Sequence, residues 1–256
     1  MRRINYYFVV LLVAALAIQS FKTYENVGDD PLVVKRQQCV LQRVKHHVTN
    51  RPYDRSVAID VPVRGNKVLV DSVITFLNKS LYKFFESTNE EHLAYDAVAT
   101  TDARHLLSHY NKAYRKWYKN DRSYLSCDFL DVLMVAQTNE YVTYESDWSY
   151  WGEGIETYQE WTTFRKSDGR CLGEVISDKN LVRFLTEHPD KQDEVIWEDM
   201  QNKLKNDALN ENVGLLNDSV VHQHVFAHGI YESTKYDLKT ILPYLSKEAQ
   251  AMVKGN

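Results

Sequence analysis

The chain of 256 residues is long enough for one or two domains with a real hydrophobic core. Its apolar content of 44% and charged content of 26% are ordinary for a globular protein. The net charge of −4 excludes the broad basic field that nucleic-acid-binding proteins carry, so no nucleic-acid partner is expected.

The N-terminus has the pattern of a signal peptide. Arg2 and Arg3 precede an apolar run from Tyr6 to Ile18, and Ala15 and Ala17 form a small-x-small cleavage site. The run is shorter than the roughly 20 residues that span a bilayer. We therefore predict a signal peptide over residues 1–20 and an exported protein, periplasmic or extracellular, without a stable membrane span; an uncleaved anchor is the alternative.

Export implies an oxidising compartment, in which three cysteines allow one disulfide and one leftover thiol. Cys127 and Cys171 both fall in the predicted sheet region, so they are the better pair, and Cys39 is left over. Three separate, partly buried thiols are the alternative, because spacing alone does not fix disulfide geometry.

The first elements in chain order are a tether, a strand and two helices. Residues 21–54 are mixed and polar, which predicts a tether. Val57–Val63 alternates as a strand does, and Pro62 places it at an edge or ends it. Apolar residues at helical spacing predict a helix from an N-cap at Asp71 through Glu86, and a second helix begins near Asp102.

The middle of the chain has the pattern of strands. Phe129–Ala136 is apolar at nearly every position, which is typical of a strand covered on both faces. Tyr141–Trp151 and Ile155–Lys166 alternate on either side of a Gly-Glu-Gly break and predict a β-hairpin, and Ser167–Gly169 predicts a tight turn after its second strand.

The last third alternates helices and strands again. Ser177 caps one helix, a second covers about Asp193–Lys205, Val220–Val225 and Ile230–Tyr236 are late strands, and Ser246 caps a terminal helix. The order predicts an α+β fold, with helices packed on one face of an antiparallel sheet, in one domain over residues 55–256.

Five short segments follow one another as in a known family: Tyr150–Gly154 (YWGEG), Ser167–Arg170 (SDGR), Ser177–Leu181 (SDKNL), Leu216–Val221 (LNDSVV) and Leu242–Leu245 (LPYL). With the upstream strand and helix, they cover about residues 55–253 and resemble the RsiV-like family. That family comprises the extracellular domain of a lysozyme-sensing anti-sigma factor and related exported domains of unknown function. The resemblance implies a non-catalytic cell-envelope domain.

This chain departs from the family pattern at two places. The turn lacks the family's Ala-His, since Glu153 stands between Gly152 and Gly154, and the late strand carries His222 and His224 where the family favours aromatics. Only about five residues precede the apolar run, so we expect neither a cytoplasmic sigma-binding domain nor an anti-sigma role.

The candidate binding site is the turn of the hairpin, because glycines allow close backbone approach and Trp and Tyr are favoured anchors. Its residues are Tyr150, Trp151, Gly152, Glu153 and Gly154. The expected partner is an envelope protein or a glycan. The other aromatics of the hairpin, together with Val142, suit core packing better.

His222, His224 and His228 are the best metal candidates, because residues two apart on a strand point the same way. No cysteine or acidic partner is nearby in the sequence, so we predict surface or half-buried histidines and no metal. His105 and His109, four apart on a helix, lack the supporting glutamate of a zinc motif and predict no site either.

No catalytic set stands out. Asp147, Glu153 and Glu156 flank aromatics as glycosidase carboxylates do, but alternating charges on a strand are more typical of a solvated face. No nucleophile elbow, phosphate loop or dinucleotide motif occurs. We expect no enzyme activity and no cofactor. A metal-dependent hydrolase built on His222, His224 and His228, or a purely structural envelope protein, are the alternatives.

Overall fold

The computed structural model describes residues 31–45, 52–87, 95–118, 127–151, 155–205, 211–226 and 231–255. The predicted signal peptide lies outside them. None of the helices within these ranges combines the length and the apolar character needed to cross a membrane.

A five-stranded sheet forms the first half of the fold, in the order β1-β2-β3-β4-β5. Its strands are β1 (Val33–Lys45), β2 (Pro52–Arg64), β3 (Cys127–Gln137), β4 (Tyr141–Trp151) and β5 (Ile155–Arg165). Neighbouring strands are antiparallel except β2 and β3, which run parallel. The α+β class is confirmed, but the sheet is mixed rather than antiparallel. A helical segment connects β2 to β3, and such a crossover is what allows parallel pairing.

The predicted tether is wrong for residues 33–45, which form β1 and pair with β2 along its length. Pro62 lies on an inner strand, yet β3 pairs only with Ser56–Ile59 of β2. At Pro62 the strand therefore has a partner on one side only, where a missing backbone N–H is tolerated, next to a register shift between Val33 and Val34.

The helices of the crossover are α1 (Lys67–Ser87), α2 (Tyr95–Val98) and α3 (Leu106–Tyr118), with a 3₁₀ turn at Ala103–His105. Asp71 is not the N-cap of α1. The side chain of Asn66 accepts a hydrogen bond from the Val68 N–H at 2.9 Å, whereas Asp71 pairs with Lys67 one turn later. The Asp102 side chain caps the 3₁₀ turn, close to the predicted start of the second helix.

The first core lies between these helices and one face of the sheet. Residues of β2 that alternate along the strand are fully buried against α1, as their period of two predicted. The members with no exposed surface are Val57, Ile59, Val61, Leu69, Val73, Leu77, Leu81, Leu106, Tyr110, Val132, Val142 and Tyr144.

The second half contains α4 (Asp178–Glu187), α5 (Glu194–Lys205), β6 (Asn212–Leu215), β7 (Ser219–Val225), β8 (Tyr231–Asp237), α6 (Leu238–Ile241) and α7 (Lys247–Lys254). Strands β6, β7 and β8 form an antiparallel sheet in that order. The predicted caps are confirmed, since Ser177 accepts from Asn180 N–H and Ser246 from Ala249 N–H. A second core joins these elements, with Leu181, Phe184, Met200, Leu215, Val220, Ile241 and Ala249 essentially unexposed.

The second sheet packs on the face of β4 and β5 that points away from α1. Thr143 donates its hydroxyl to the Leu215 carbonyl at 2.7 Å and lies 2.9 Å from the Thr163 hydroxyl. Tyr141 donates to the Leu216 carbonyl at 2.7 Å. These hydrogen bonds hold β6 against the five-stranded sheet. The two sheets together position the residues of the sites described below.

Candidate functional site

The predicted binding turn lies at the far end of the β4–β5 hairpin. Tyr150 and Trp151 are the last two residues of β4, and Trp151 pairs with Ile155 at the start of β5. Gly152, Glu153 and Gly154 lie outside the described residues, as do the side chains of Tyr150 and Trp151. This site therefore remains a prediction.

The other residues on this face of β4 belong to the core, as the alternation predicted. Val142 and Tyr144 have no exposed surface. The Tyr144 ring makes edge contacts with Phe76 at 6.1 Å and Phe164 at 6.4 Å between ring centres. Trp148 is half-buried and packs at the margin of the first core. The Trp148 side chain is therefore partly exposed at the protein surface, whereas that of Tyr144 is not.

The surface beside Trp148 is a small cleft between α1 and the sheet, with a volume of about 80 Å³ and open to solvent. We call it the helix–sheet cleft. Its walls are mainly apolar and aromatic, and Lys83 lies over the Trp148 ring at 5.5 Å from the ring centre. The lining residues are Phe76, Ser80, Lys83, Phe84, Leu130, Ser146, Trp148 and Glu160.

A second, shallower depression continues the cleft along α1 towards its N-terminus. It reaches Val68 on the helix, and Thr162 and Phe164 on β5. Phe76 lines both depressions, so they follow one side of the same helix. From Val68 to Phe84 the helix rises about 24 Å, which is the length of about seven residues of extended peptide.

The predicted Cys127–Cys171 disulfide is contradicted by the structure, in which Cys171 is an exposed free thiol. Cys127 pairs with Tyr150 on β4, while Cys171 pairs with Phe164 at the other end of β5. The register sets them about 26 Å apart along the strands, whereas bonded cysteines have Cα atoms within about 7 Å. Cys39 is also free and half-buried, and burial raises its pKa to about 11.

The histidines of β7 converge on a buried carboxylate that sequence reasoning missed. The rings of His222 and His224 have no exposed surface, and the Glu211 side chain is 1% exposed. Because Asn212 pairs with Gln223, Glu211 at the start of β6 lies opposite the β7 histidines. The sequence did hold a signal for this carboxylate: an acidic residue directly before a strand that pairs with the His-x-His strand. His228 lies outside the described residues.

Each histidine nitrogen in this cluster has a partner. His222 Nε2 is 2.5 Å from Glu211 Oε2, and His224 Nδ1 is 2.8 Å from Glu211 Oε1. His222 Nδ1 is 3.3 Å from the Tyr236 hydroxyl, and His224 Nε2 is 2.8 Å from Asp199 Oδ2 on α5. Burial raises the pKa of Glu211, but the hydrogen bonds from the two histidines outweigh it and lower the pKa overall.

Acidic side chains occupy the sheet face opposite the helices. Asp131 on β3 lies directly across from Asp147 on β4. Burial, helped by the charges of Glu145 and Asp131, raises the pKa of Asp147 to about 6. Glu153 and the side chain of Glu156 lie outside the described residues, so the carboxylate set considered for glycoside hydrolysis stays untested.

Comparison with solved structures shows that this fold resembles that of known proteins. No protein-family profile and no curated protein matches the chain. Among solved structures, a member of the DUF3298 family from Bacteroides fragilis superposes with a TM-score of 0.53 at 13% identity, over 89% of this chain and all of that one. A DUF3298 family protein from Pseudomonas aeruginosa covers 86% of this chain and 97% of its own at 11% identity, with a TM-score of 0.47. The chain is thus similar in fold to a family whose name records an unknown function.

Proposed function

We propose that this protein is an exported, non-catalytic domain of the cell envelope that binds a protein ligand in the helix–sheet cleft. The observation that carries the proposal is the cleft itself: an aromatic wall beside a half-buried tryptophan, open to solvent. The apolar N-terminal run and the resemblance to RsiV-like exported domains support the envelope location.

The shape and chemistry of the cleft favour an extended polypeptide over a glycan. Its deep part holds Phe76, Phe84 and Leu130, which suit an apolar side chain better than a sugar's hydroxyl groups. Together with the depression that continues it, the cleft follows α1 for about 24 Å, which accommodates several residues in a row. Lys83 and Glu160 stand at its margin and offer opposite charges for a polar peptide backbone or flanking charged residues.

Site-specific photo-crosslinking tests the binding site. A photoreactive residue at Ser80, inside the cleft, is expected to capture one defined protein from envelope extract, while the same group at exposed Lys112 on α3 does not. Ser80→Trp should abolish binding of the purified partner, because the indole fills the cleft without removing a core side chain. The Lys112→Trp variant is the matched control.

Two results would contradict the proposal. A glycan that binds the wild-type protein and is lost in Ser80→Trp would replace the protein ligand by a carbohydrate. Equal partner binding by Ser80→Trp and wild type would remove the cleft from the function altogether. N-terminal sequencing of the protein recovered from the envelope tests export, which predicts a mature chain that begins near residue 21.

A further inference from the structure

The Glu211–His222–His224 cluster holds three metal-ligating atoms within reach of one ion. One carboxylate oxygen and one nitrogen of each ring all lie within 4.8 Å of one another. The strands impose this arrangement, because His222 and His224 alternate onto the same face of β7 and β6 brings Glu211 alongside. The convergence results from backbone pairing rather than from mobile surface side chains.

The groups behind the histidines are those that metal-bound imidazoles use. A histidine that binds metal through one nitrogen usually donates the other N–H to a carboxylate or another oxygen, which orients the ring. His224 has Asp199 at 2.8 Å from its outer nitrogen, and His222 has the Tyr236 hydroxyl at 3.3 Å. Lys203 holds Asp199 in place at 3.0 Å.

The burial of the cluster makes a positive charge at its centre favourable. An ionised carboxylate that is taken out of water requires a cation or several hydrogen bonds to compensate. Glu211 is 1% exposed and faces the two imidazoles. A divalent cation held between these three groups supplies that charge.

We propose that Glu211, His222 and His224 form a structural site for one divalent transition-metal ion of the zinc class. Two imidazoles and one carboxylate are an established ligand set for zinc, whose bonds to nitrogen and oxygen are about 2.0–2.2 Å. Ligand atoms around such an ion lie about 3 Å apart, so the 2.5 Å between His222 and Glu211 must widen by less than about 1 Å. Three protein ligands leave a fourth position on a tetrahedral ion, and because all three side chains are at most 1% exposed, we assign that position to a water molecule rather than to a substrate and the ion to a structural role.

The metal-bound state makes a specific prediction about protonation. The geometry assigns His222 to the ion through Nε2 and His224 through Nδ1. The outer N–H of His222 then donates to Tyr236, and that of His224 donates to Asp199. The two histidines would therefore have opposite tautomers, which long-range proton–nitrogen NMR distinguishes directly.

The experiment starts from the untagged chain treated with chelator and then titrated with zinc chloride. We expect one equivalent to bind, with both tautomers as assigned, and the Tm to rise by on the order of 5 °C when free zinc is about 100 times the Kd. Glu211→Gln and His224→Gln should each weaken zinc binding at least about 100-fold. The double variant His105→Gln/His109→Gln, on an exposed helix face, should leave it unchanged.

Two outcomes would overturn the metal site. The first is less than about a tenth of an equivalent of zinc bound by wild type at about 100 µM free metal, which would show that the cluster is a metal-free hydrogen-bond network. The second is undiminished binding in both cluster variants, which would show that zinc sits elsewhere. If circular dichroism shows that the variants do not fold, the zinc stoichiometry and the histidine tautomers of the wild-type protein are sufficient to test the metal site.

Discussion

Asp147 is a carboxylate whose surroundings oppose its charge. Its Oδ1 atom is buried and has no hydrogen-bond partner among the described residues. Burial, with Glu145 and Asp131 adding repulsion, raises its pKa from 3.8 to about 6. Between those pH values the folded chain binds a proton that the unfolded chain does not, so this group's contribution to stability rises as the pH falls from about 6 towards about 4.

Asp147→Asn should therefore stabilise the protein at pH 7 by about 1 kcal/mol, after allowance for solvent screening of a half-exposed group. The gain should vanish at pH 4, where the native carboxyl is already neutral. Urea denaturation at both pH values measures this. Asp54→Asn is the control: Asp54 pairs with Arg43, which lowers its pKa, so this variant should show no gain at pH 7. Stabilisation of equal size at both pH values would contradict the argument.

At the level of elements, the contact between β5 and β6 depends on Gly214. A Cβ at this position would clash with Cγ of Trp161, well inside van der Waals contact. The Trp161 indole is held by a hydrogen bond of 3.0 Å from its Nε1–H to Glu145. The two sheets can approach closely only because residue 214 has no side chain.

Gly214→Ala should destabilise the protein by about 1–3 kcal/mol, because the added methyl forces Trp161 or β6 to move. Gly173→Ala is the matched control, since no heavy atom lies within 4 Å of the position that its new methyl group would take, and the change should be nearly neutral. Thermal unfolding of both variants provides the comparison. A Gly214→Ala protein as stable as wild type would mean that the sheets separate at low cost.

The helix α4 offers a simpler prediction. Ser177 accepts a hydrogen bond from the Asn180 N–H at the first turn of this helix. Ser177→Ala should cost about 1 kcal/mol, as loss of an N-cap usually does. Ser177→Asp should keep most of the stability, because an aspartate caps equally well. Equal losses in both variants, measured by urea denaturation, would show that the cap is not what Ser177 contributes.

Local patterns predicted elements whose signals lie close together in the chain. The caps at Ser177 and Ser246 and the β4–β5 hairpin belong to this class. Strand β1 was missed because its pattern is polar, and two of its arginines pair with residues of β2, as in the 3.0 Å pair of Arg36 with Asp60. No local pattern reports such a partner.

The histidine cluster shows the same limit for a site. His222 and His224 stood out as a pair on one strand face, but their acidic partners come from α5 and from the start of β6. Strand β6 was not recognised, so Glu211 was not placed opposite the histidines although it is only 11 residues from His222. Asp199 reaches His224 from a helix, and no local pattern reports that tertiary contact. The spacing therefore identified the two histidines as a pair but not their acidic partners.

In the whole molecule, two cores share one pair of strands. One face of β4 packs against α1, and the other carries the hydrogen bonds to β6. Loss of β4 would remove packing contacts from both cores at the same time. We therefore expect both halves to unfold together rather than one after the other.

Thr143→Val tests this coupling, because it removes the buried hydroxyl that joins β4 to the Leu215 carbonyl. The loss of a buried partner should cost about 1–3 kcal/mol. Hydrogen exchange measured by mass spectrometry should then show faster exchange by the same factor in peptides from β3 and from β7. Faster exchange in β7 alone would show that the two cores open independently.

The parallel pairing of β2 with β3 also constrains how the chain is made. During synthesis, β1 and β2 can form a hairpin as soon as they emerge, whereas β3 joins only after α1, α2 and α3 have followed. Until then, the apolar face of β2 is covered by α1 at most, and the edge of β2 at Ser56–Ile59 remains unpaired. Because parallel pairing forms slowly, this edge of β2 stays exposed for longer during folding than it would in a sheet built from hairpins alone.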